Sequence, residues 1–166
     1  MHHALFLGLG SNQGNKIQNC ERAIIEILKR DSHQLVSRSS WYQTQPWGKE
    51  NQAWFINGVV QIMTVLPPEE VLEECKRIEF RLGRTDPGHW QPRMIDIDIL
   101  FYDDLVIQTP DCEIPHPRIH LRNFVLVPLA EIAPQFFHPV FNKSIEGLLK
   151  ESPDKKLVRK LEDNRL

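Results

Sequence analysis

Two stretches of helical periodicity, set among four strand-like runs, restrict this chain to few folds. Ile17, Cys20, Ile24, Ile27 and Leu28 recur at helical spacing between Asn15 and Lys29, and Val71, Leu72, Cys75, Ile78 and Leu82 do the same after Pro67. Pro67-Pro68-Glu69-Glu70 reads as a helix start, with proline in the first turn and acids at the positive end of the dipole. Gly83 reads as the residue that ends that helix. Apolar or β-branched runs occupy the intervals: Ala4 to Gly10, Gln34 to Thr44, Phe55 to Val65 and Met94 to Tyr102. The order strand, helix, strand, strand, helix, strand predicts an α+β, ferredoxin-like βαββαβ sandwich. Its sheet should be mostly antiparallel, with helices packed on one face and the other face left for loops and ligands. Further on, Asp103-Asp104 turns into Leu105 to Ile107, Phe124 to Ile132 predicts a short helix interrupted near Pro128, and Ser144 to Lys150 predicts another. The chain of 166 residues fits one domain, 1–166, in which about 151–166 is a charged tail. From Asp154 that tail is expected to be a surface helix or a frayed end.

Composition removes several function classes. A formal net charge of −2, with 41% hydrophobic and 25% charged residues, calls for neither nucleic acid nor an anionic membrane. No apolar run approaches the ~20 residues needed to span a bilayer, and the start of the chain lacks the pattern of a signal peptide. The expected compartment is the cytoplasm. Cys20, Cys75 and Cys112 are odd in number and widely spaced, which fits neither a disulfide framework nor a metal-ligand pattern. Cys20 and Cys75 fall on apolar helix faces and should be buried small hydrophobes. The charge is nonetheless uneven, because Arg77, Arg81, Arg84, Arg93, Arg118 and Arg122 crowd the middle of the chain and mark a local anion-binding region.

The chemistry concentrates in Arg93-Met94-Ile95-Asp96-Ile97-Asp98-Ile99-Leu100. Strand side chains alternate, so Ile95, Ile97 and Ile99 face one way and Asp96 and Asp98 the other, with the two Asp Cα atoms roughly 7 Å apart. Two carboxylates so placed can bind a pair of divalent ions. The plainer reading is a solvated strand face, but aspartate is a poor strand former and like charges two apart repel. Hard oxygen ligands favour Mg²⁺, which takes one or two carboxylates and completes its shell with substrate phosphates. That points to phosphoryl chemistry, in which nearby cations neutralise phosphate oxygens. Arg84 and Arg93 bracket a polar segment, Arg84 to Gln91, which holds Pro87 and Gly88 and should be a mobile loop. Pro115-His116-Pro117-Arg118 and Arg122 lie in a proline-fixed segment beyond the strand. Trp41 should belong to the core. Trp47 and Trp54, in a turn-rich stretch with Thr44 and Asn57, suit a planar hydrogen-bonding heterocycle. Gly8-Leu9-Gly10-Ser11-Asn12 lacks the third glycine of a dinucleotide fingerprint, and no G-x-x-x-x-G-K-[ST] loop occurs, so a nucleotide needs some other scheme.

Read in order, Leu9-Gly10-Ser11-Asn12, Phe55-Ile56-Asn57, Arg77-Ile78-Glu79, Gly83-Arg84, Trp90 through Asp98, Ile114-Pro115-His116 and Arg122 through Leu129 closely resemble the 6-hydroxymethyl-7,8-dihydropterin pyrophosphokinase family. The resemblance runs from about Ala4 to Leu149, and its tryptophan–proline–arginine–D-x-D block is far more specific than D-x-D alone. It implies a ferredoxin-like enzyme of folate biosynthesis, monomeric in its commonest form, which transfers pyrophosphate from ATP to the pterin hydroxymethyl group and releases AMP. It implies that Asp96 and Asp98 bind two Mg²⁺, and that Arg84, Trp90 and Arg93 belong to a loop that closes over nucleotide and pterin. His116 and Arg122 would contact the ATP phosphates, with Glu79 and Ile99 where the nucleotide sits. Thr44, Gln45, Trp47, Phe55, Asn57 and Phe124 would form the pterin pocket, the ring stacked between Phe55 and Phe124. Five departures stand out: the loop Arg84 to Arg93 is one residue shorter, Asp86-Pro87-Gly88-His89 replaces a basic stretch, Gln45 stands where proline is common, Lys76 stands where a glutamine facing ATP is expected, and Trp47 is larger than the aliphatic residue usual there. The readings weighed against this one are a Mg-dependent nuclease or glycosyltransferase with a D-x-D metal site, and a pterin- or nucleotide-binding module without catalysis.

Overall fold

The computed structural model describes residues 1–48, 51–83 and 94–162. Strand β1, His3–Ser11, leads to helix α1, Lys16–Leu28, whose first turn is capped by the Asn15 side chain accepting from the Gln18 amide at 3.1 Å. Strands β2, His33–Arg38, β3, Tyr42–Thr44, and β4, Phe55–Thr64, follow, and then helix α2, Pro68–Arg81. Gly83 ends α2 with φ +112°, as its position just past the helix requires. After β5, Asp96–Tyr102, come a small ribbon of β6, Ile107–Gln108, and β7, Glu113–Ile114, and a 3₁₀ turn at Ile119–Leu121. Helices α3, Asn123–Ile132, and α4, Ile145–Glu151, and strand β8, Val158–Lys160, complete the order.

The main sheet runs β5-β1-β4-β3-β8, with β2 also paired to β4, and each of these pairs is antiparallel. Taken with α1 and α2 as the crossovers, this is the expected ferredoxin-like arrangement. Period-two alternation builds its main core: Leu5, Leu7, Leu9, Ile97 and Ile99 meet Cys20, Ile24 and Ile27 of α1 and Val71, Cys75 and Ile78 of α2. Both cysteines are buried there, and burial pushes the Cys20 thiol up to about 12. Among the described residues, no helix is long and apolar enough to cross a membrane.

Four local expectations change. The second face is not left wholly to loops: Phe6, Val59, Leu100 and Phe101 pack there against Val125, Leu126 and Leu129 of α3 and Ile145 and Leu148 of α4. A bulge at the β1–β5 pairing makes this possible, since the register passes from Leu7↔Ile99 to Phe6↔Phe101 and turns both Leu100 and Phe101 to that side. The run Gln34 to Thr44 is two strands, because the register against β4 shifts between Leu35 and Ser37 and Ser39 substitutes its hydroxyl for a ladder acceptor, taking the Val59 amide at 2.9 Å. Helix α3 runs unbroken through Pro128, which is itself buried with Val125, Leu126 and Leu129. The tail forms a strand, β8, on the edge of β3, where free backbone groups await a partner.

Trp41 is a core residue, 2% exposed, and its indole lies over Gly58. A Cβ at Gly58 would come within 2.6 Å of Trp41 Cε3 and Cζ3, and Trp41 is held by its Nε1 donating to Glu21 at 2.7 Å. Gly58→Ala is therefore expected to lower unfolding free energy by about 1–3 kcal/mol through overpacking. A denaturant titration checks this: the midpoint should fall at unchanged m-value, and an unmoved midpoint contradicts the packing described.

Candidate active site

Alternation along β1 makes the site as well as the core. Leu5, Leu7 and Leu9 point to α1 and α2, so Phe6, Gly8 and Gly10 point to the opposite face. Phe6 fills its position against Phe101 and Phe136, whereas the two glycines leave theirs open. The result is a cavity of about 610 Å³, floored by Gly8 and Gly10.

Sheet register fixes what stands on either side of that floor. Gly10 pairs with Asn57 on β4 and with Asp96 on β5, and Gly8 with Val59 and Asp98. Asp96 and Asp98 thus share the cavity face, while Ile97 and Ile99 are buried on the other, as the alternation predicts. Asp98 is exposed and Asp96 half-buried, and both line the cavity. Among the described residues no group of three His, Cys, Asp or Glu side chains is gathered for a metal. A Mg²⁺ site made of two carboxylates and phosphate oxygens needs no third protein ligand, so Asp96 and Asp98 fit that ion.

The opposite wall is polar and aromatic. Buried Thr44 donates its hydroxyl to Asn57 Oδ1 at 2.6 Å, and Asn57 Nδ2 donates to the Leu9 carbonyl at 3.2 Å. A primary amide has two N–H donors and two acceptor lone pairs, so Asn57 retains hydrogen-bonding capacity for a planar ligand. The amide lies so close to β1 that a Cβ at Gly10 would stand 2.5 Å from Nδ2. Half-buried Phe55, Phe124 and Trp47, with Gln45, complete this end.

Nitrogen donors occupy the third side. His116, Arg118 and Arg122 all line the cavity. The Arg122 guanidinium lies 5.4 Å from the centre of the Trp47 ring and 5.6 Å from that of Phe124. Burial, then Arg118, presses its pKa down, while Asp98, Asp154 and Asp96 pull it up. Its Nε is buried with no hydrogen-bond partner among the described residues, an orphan donor suited to a phosphate oxygen. Burial first, then the charges of Arg122 and Arg118, lower His116 to about 4, so the ring is neutral at pH 7. Its Nδ1 accepts from the Arg118 amide at 3.2 Å, which leaves the proton of the neutral ring on Nε2 as a donor.

Eight residues expected at the site line this cavity, Thr44, Gln45, Trp47, Phe55, Asn57, Phe124, His116 and Arg122, together with Asp96 and Asp98. Glu79 and Ile99 do not reach it. Glu79 is buried on the far side and accepts the Ile97 amide at 2.7 Å, and the Ile99 side chain belongs to the main core. Arg84, Trp90 and Arg93 lie outside the described residues. Trp54 is also apart from the cavity, beside Lys16, Gln43 and Arg159. Sequence reasoning missed the floor, although the series Phe6-x-Gly8-x-Gly10 could have revealed it by period two. It also left Gln52 and Arg118 without a role in the lining.

Against this geometry, comparisons with known proteins agree. Residues 6–134 match the family described as 7,8-dihydro-6-hydroxymethylpterin-pyrophosphokinase (HPPK). The chain is 38% identical over 148 residues to the 2-amino-4-hydroxy-6-hydroxymethyldihydropteridine pyrophosphokinase of Aquifex aeolicus, covering 89% of this chain and 91% of that one. It is 44% identical over 129 residues to the protein of the same name from Methylorubrum extorquens, covering 78% and 82%. A crystal structure of wild-type Plasmodium falciparum HPPK-DHPS with pteroate superposes with a TM-score of 0.73 at 16% identity, over 91% of this chain. This chain spans 44% of that longer one, and the likeness is one of fold.

The neutral histidines give a test that needs no substrate. His116 and buried His138 are both lowered to about 4, chiefly by burial. The unfolded chain, with ordinary imidazoles near 6.5, binds more protons than the fold between about pH 6.5 and 4, so these groups reduce stability as the pH falls through that window. NMR titration of the empty protein should show both rings deprotonated until about pH 4. Midpoints near 6.5 contradict the burial described.

Proposed function

The chain belongs to the 7,8-dihydro-6-hydroxymethylpterin-pyrophosphokinase family, and from that premise we propose how its own residues carry the reaction. The enzyme transfers pyrophosphate from ATP to the hydroxymethyl group of 6-hydroxymethyl-7,8-dihydropterin, releasing AMP, in folate biosynthesis. One observation carries the assignment of roles: a single glycine-floored cavity holds a carboxylate pair, a hydrogen-bonded Thr44–Asn57 wall flanked by aromatics, and a bank of cations.

The pterin edge bonds to Asn57, whose amide is oriented by Thr44, and the ring stacks between Phe55 and Phe124 beside Gln45 and Trp47. Its hydroxymethyl group then points along the floor toward β5. The ATP phosphates lie against Arg122 and His116, the first as a fixed charge and the second as a neutral Nε2–H donor. Ile97 gives its amide to Glu79, so alternation carries the Ile99 peptide to the same outer edge of β5, where a nucleotide base meets backbone rather than side chain. Asp96 and Asp98 would hold two Mg²⁺, which would supply charge neutralisation at the phosphate oxygens. Arg84, Trp90 and Arg93 add contacts to nucleotide and pterin, a role that rests on their sequence motif. The hydroxymethyl oxygen attacks the β-phosphorus in line, and the bond to the α-phosphate oxygen breaks to free AMP. Alignment and charge neutralisation supply most of the rate. We further propose a cytoplasmic monomer, one domain over 1–166.

The test is turnover scored as AMP and diphosphorylated pterin. Wild type should require Mg²⁺, and Asp98→Ala should lose nearly all activity while melting at the wild-type temperature, since Asp98 is exposed. A variant that keeps more than about a tenth of the rate, a loss of only ~1.4 kcal/mol of barrier stabilisation, would falsify the metal role.

A further inference from the structure

The segment after α4 lies beyond the residues matched by the family model, yet it is tied to the pterin side of the cavity by one carboxylate. Asp154 Oδ2 accepts from the Asn123 amide at 2.8 Å, at the start of α3, and from Trp47 Nε1 at 3.3 Å. Its Oδ1 accepts from the Lys156 amide at 2.9 Å, turning the chain, and its carbonyl accepts from Asn123 Nδ2 at 3.3 Å. The chain then runs along the rim: the Gln45 amide donates to the Leu157 carbonyl at 3.1 Å, and the Leu157 amide donates to Gln45 Oε1 at 2.7 Å. From there β8 pairs with β3 through Thr44↔Val158, Gln43↔Arg159 and Tyr42↔Lys160.

Trp47 and Phe124 come from segments far apart in sequence, and the Arg122 guanidinium lies near both rings. Stacked cations do not set the spacing of two aromatic walls by themselves, because the guanidinium can slide on either ring. Asp154 does set it, by bonding in one place to the indole N–H of one wall and the helix start that carries the other. Its charge also favours the positive end of α3. We propose that Asp154 is a positioning residue for the pterin substrate: the C-terminal strap clamps Trp47, at the pocket rim, to the first turn of α3, which carries Phe124, and so holds that stacking wall in place. The residue touches no substrate. This rests on the pterin pocket proposed above.

The experiment measures KM for pterin and for ATP, kcat and melting temperature in wild type, Asp154→Ala, Asp154→Asn, Trp47→Phe and the Asp154→Ala/Trp47→Phe double variant. Trp47→Phe keeps an aromatic wall and deletes the indole donor, breaking the same link from its other end. Asp154→Ala should raise the pterin KM about tenfold, ~1.4 kcal/mol. The ATP KM should stay level or fall, because an anion facing Arg122 is removed, and kcat should stay within about twofold, a modest change on the scale of tenfold per 1.36 kcal/mol. Asp154→Asn, which keeps one accepting oxygen, should lie between, and the double variant should fall short of the product of the singles. An unchanged pterin KM, losses in both KM values that track the melting temperature, or fully multiplicative effects overturn the inference. Should Asp154→Ala not fold, Asp154→Asn decides by the same split between the two KM values. A wild-type enzyme that makes no AMP defeats the functional reading instead, before any variant is compared.

Discussion

Strand β1 sits between β4 and β5, and its alternation has to satisfy two different neighbours at once. On one face Leu5, Leu7 and Leu9 are almost wholly buried against α1 and α2. On the other, side chains at positions 8 and 10 would occupy the reaction space. At Gly10 the limit is steric in the strict sense, since a Cβ there would meet the Asn57 amide at 2.5 Å. The same register that seats Gly10 between Asn57 and Asp96 places the polar wall and the first carboxylate one strand to either side. Neighbouring strands stand about 4.8 Å apart, so the two Cα atoms are roughly 10 Å from each other. The hollow is therefore a property of backbone register, and it would survive changes in the aromatic rim better than any change in β1.

Charge of both signs is gathered across this hollow. Asp96 and Asp98 are two apart on one face, and Arg122 and Arg118 are close enough to depress each other's neighbour His116. Like charges gathered at one place cost free energy that the empty protein reduces by local pairing: Arg122 feels Asp98, Asp154 and Asp96. The proposed cation-bound triphosphate would answer both halves, with positive charge for the carboxylates and phosphate oxygens for the arginines. His116 avoids the conflict differently, by staying uncharged, which allows it to sit among arginines and still donate a hydrogen bond.

What could be read in the sequence was whatever a local period encodes. The alternation through Ile95 to Ile99 was enough to put Asp96 and Asp98 on a common face, and helical spacing was enough to bury Cys20 and Cys75. The split of Gln34 to Thr44 was not legible, because a bulge and a serine standing in for the backbone depend on what β4 offers opposite. Glu79 shows a second limit. Its place in a family motif pointed to the nucleotide, but the motif does not say which atom acts, and the carboxylate is occupied by the Ile97 amide. Phe101 shows a third: strict alternation would send it to the α1 and α2 face with Ile99, and only the shifted pairing with β1 turns it to α3.

The tail makes the same point with the most consequence. A run of charged residues with a few aliphatics carries no period that distinguishes a frayed end from a strand, and β8 exists because β3 presents an edge. Strand β3 is three residues long, too short to hold the following loop by its pairing with β4 alone. Pairing on its second edge fixes Thr44 from both sides, and Thr44 is the residue that orients Asn57. The Asn57 amide is thus supported through two layers of hydrogen bonds by residues more than a hundred positions away, which is why a surface tail belongs to the architecture of the pocket.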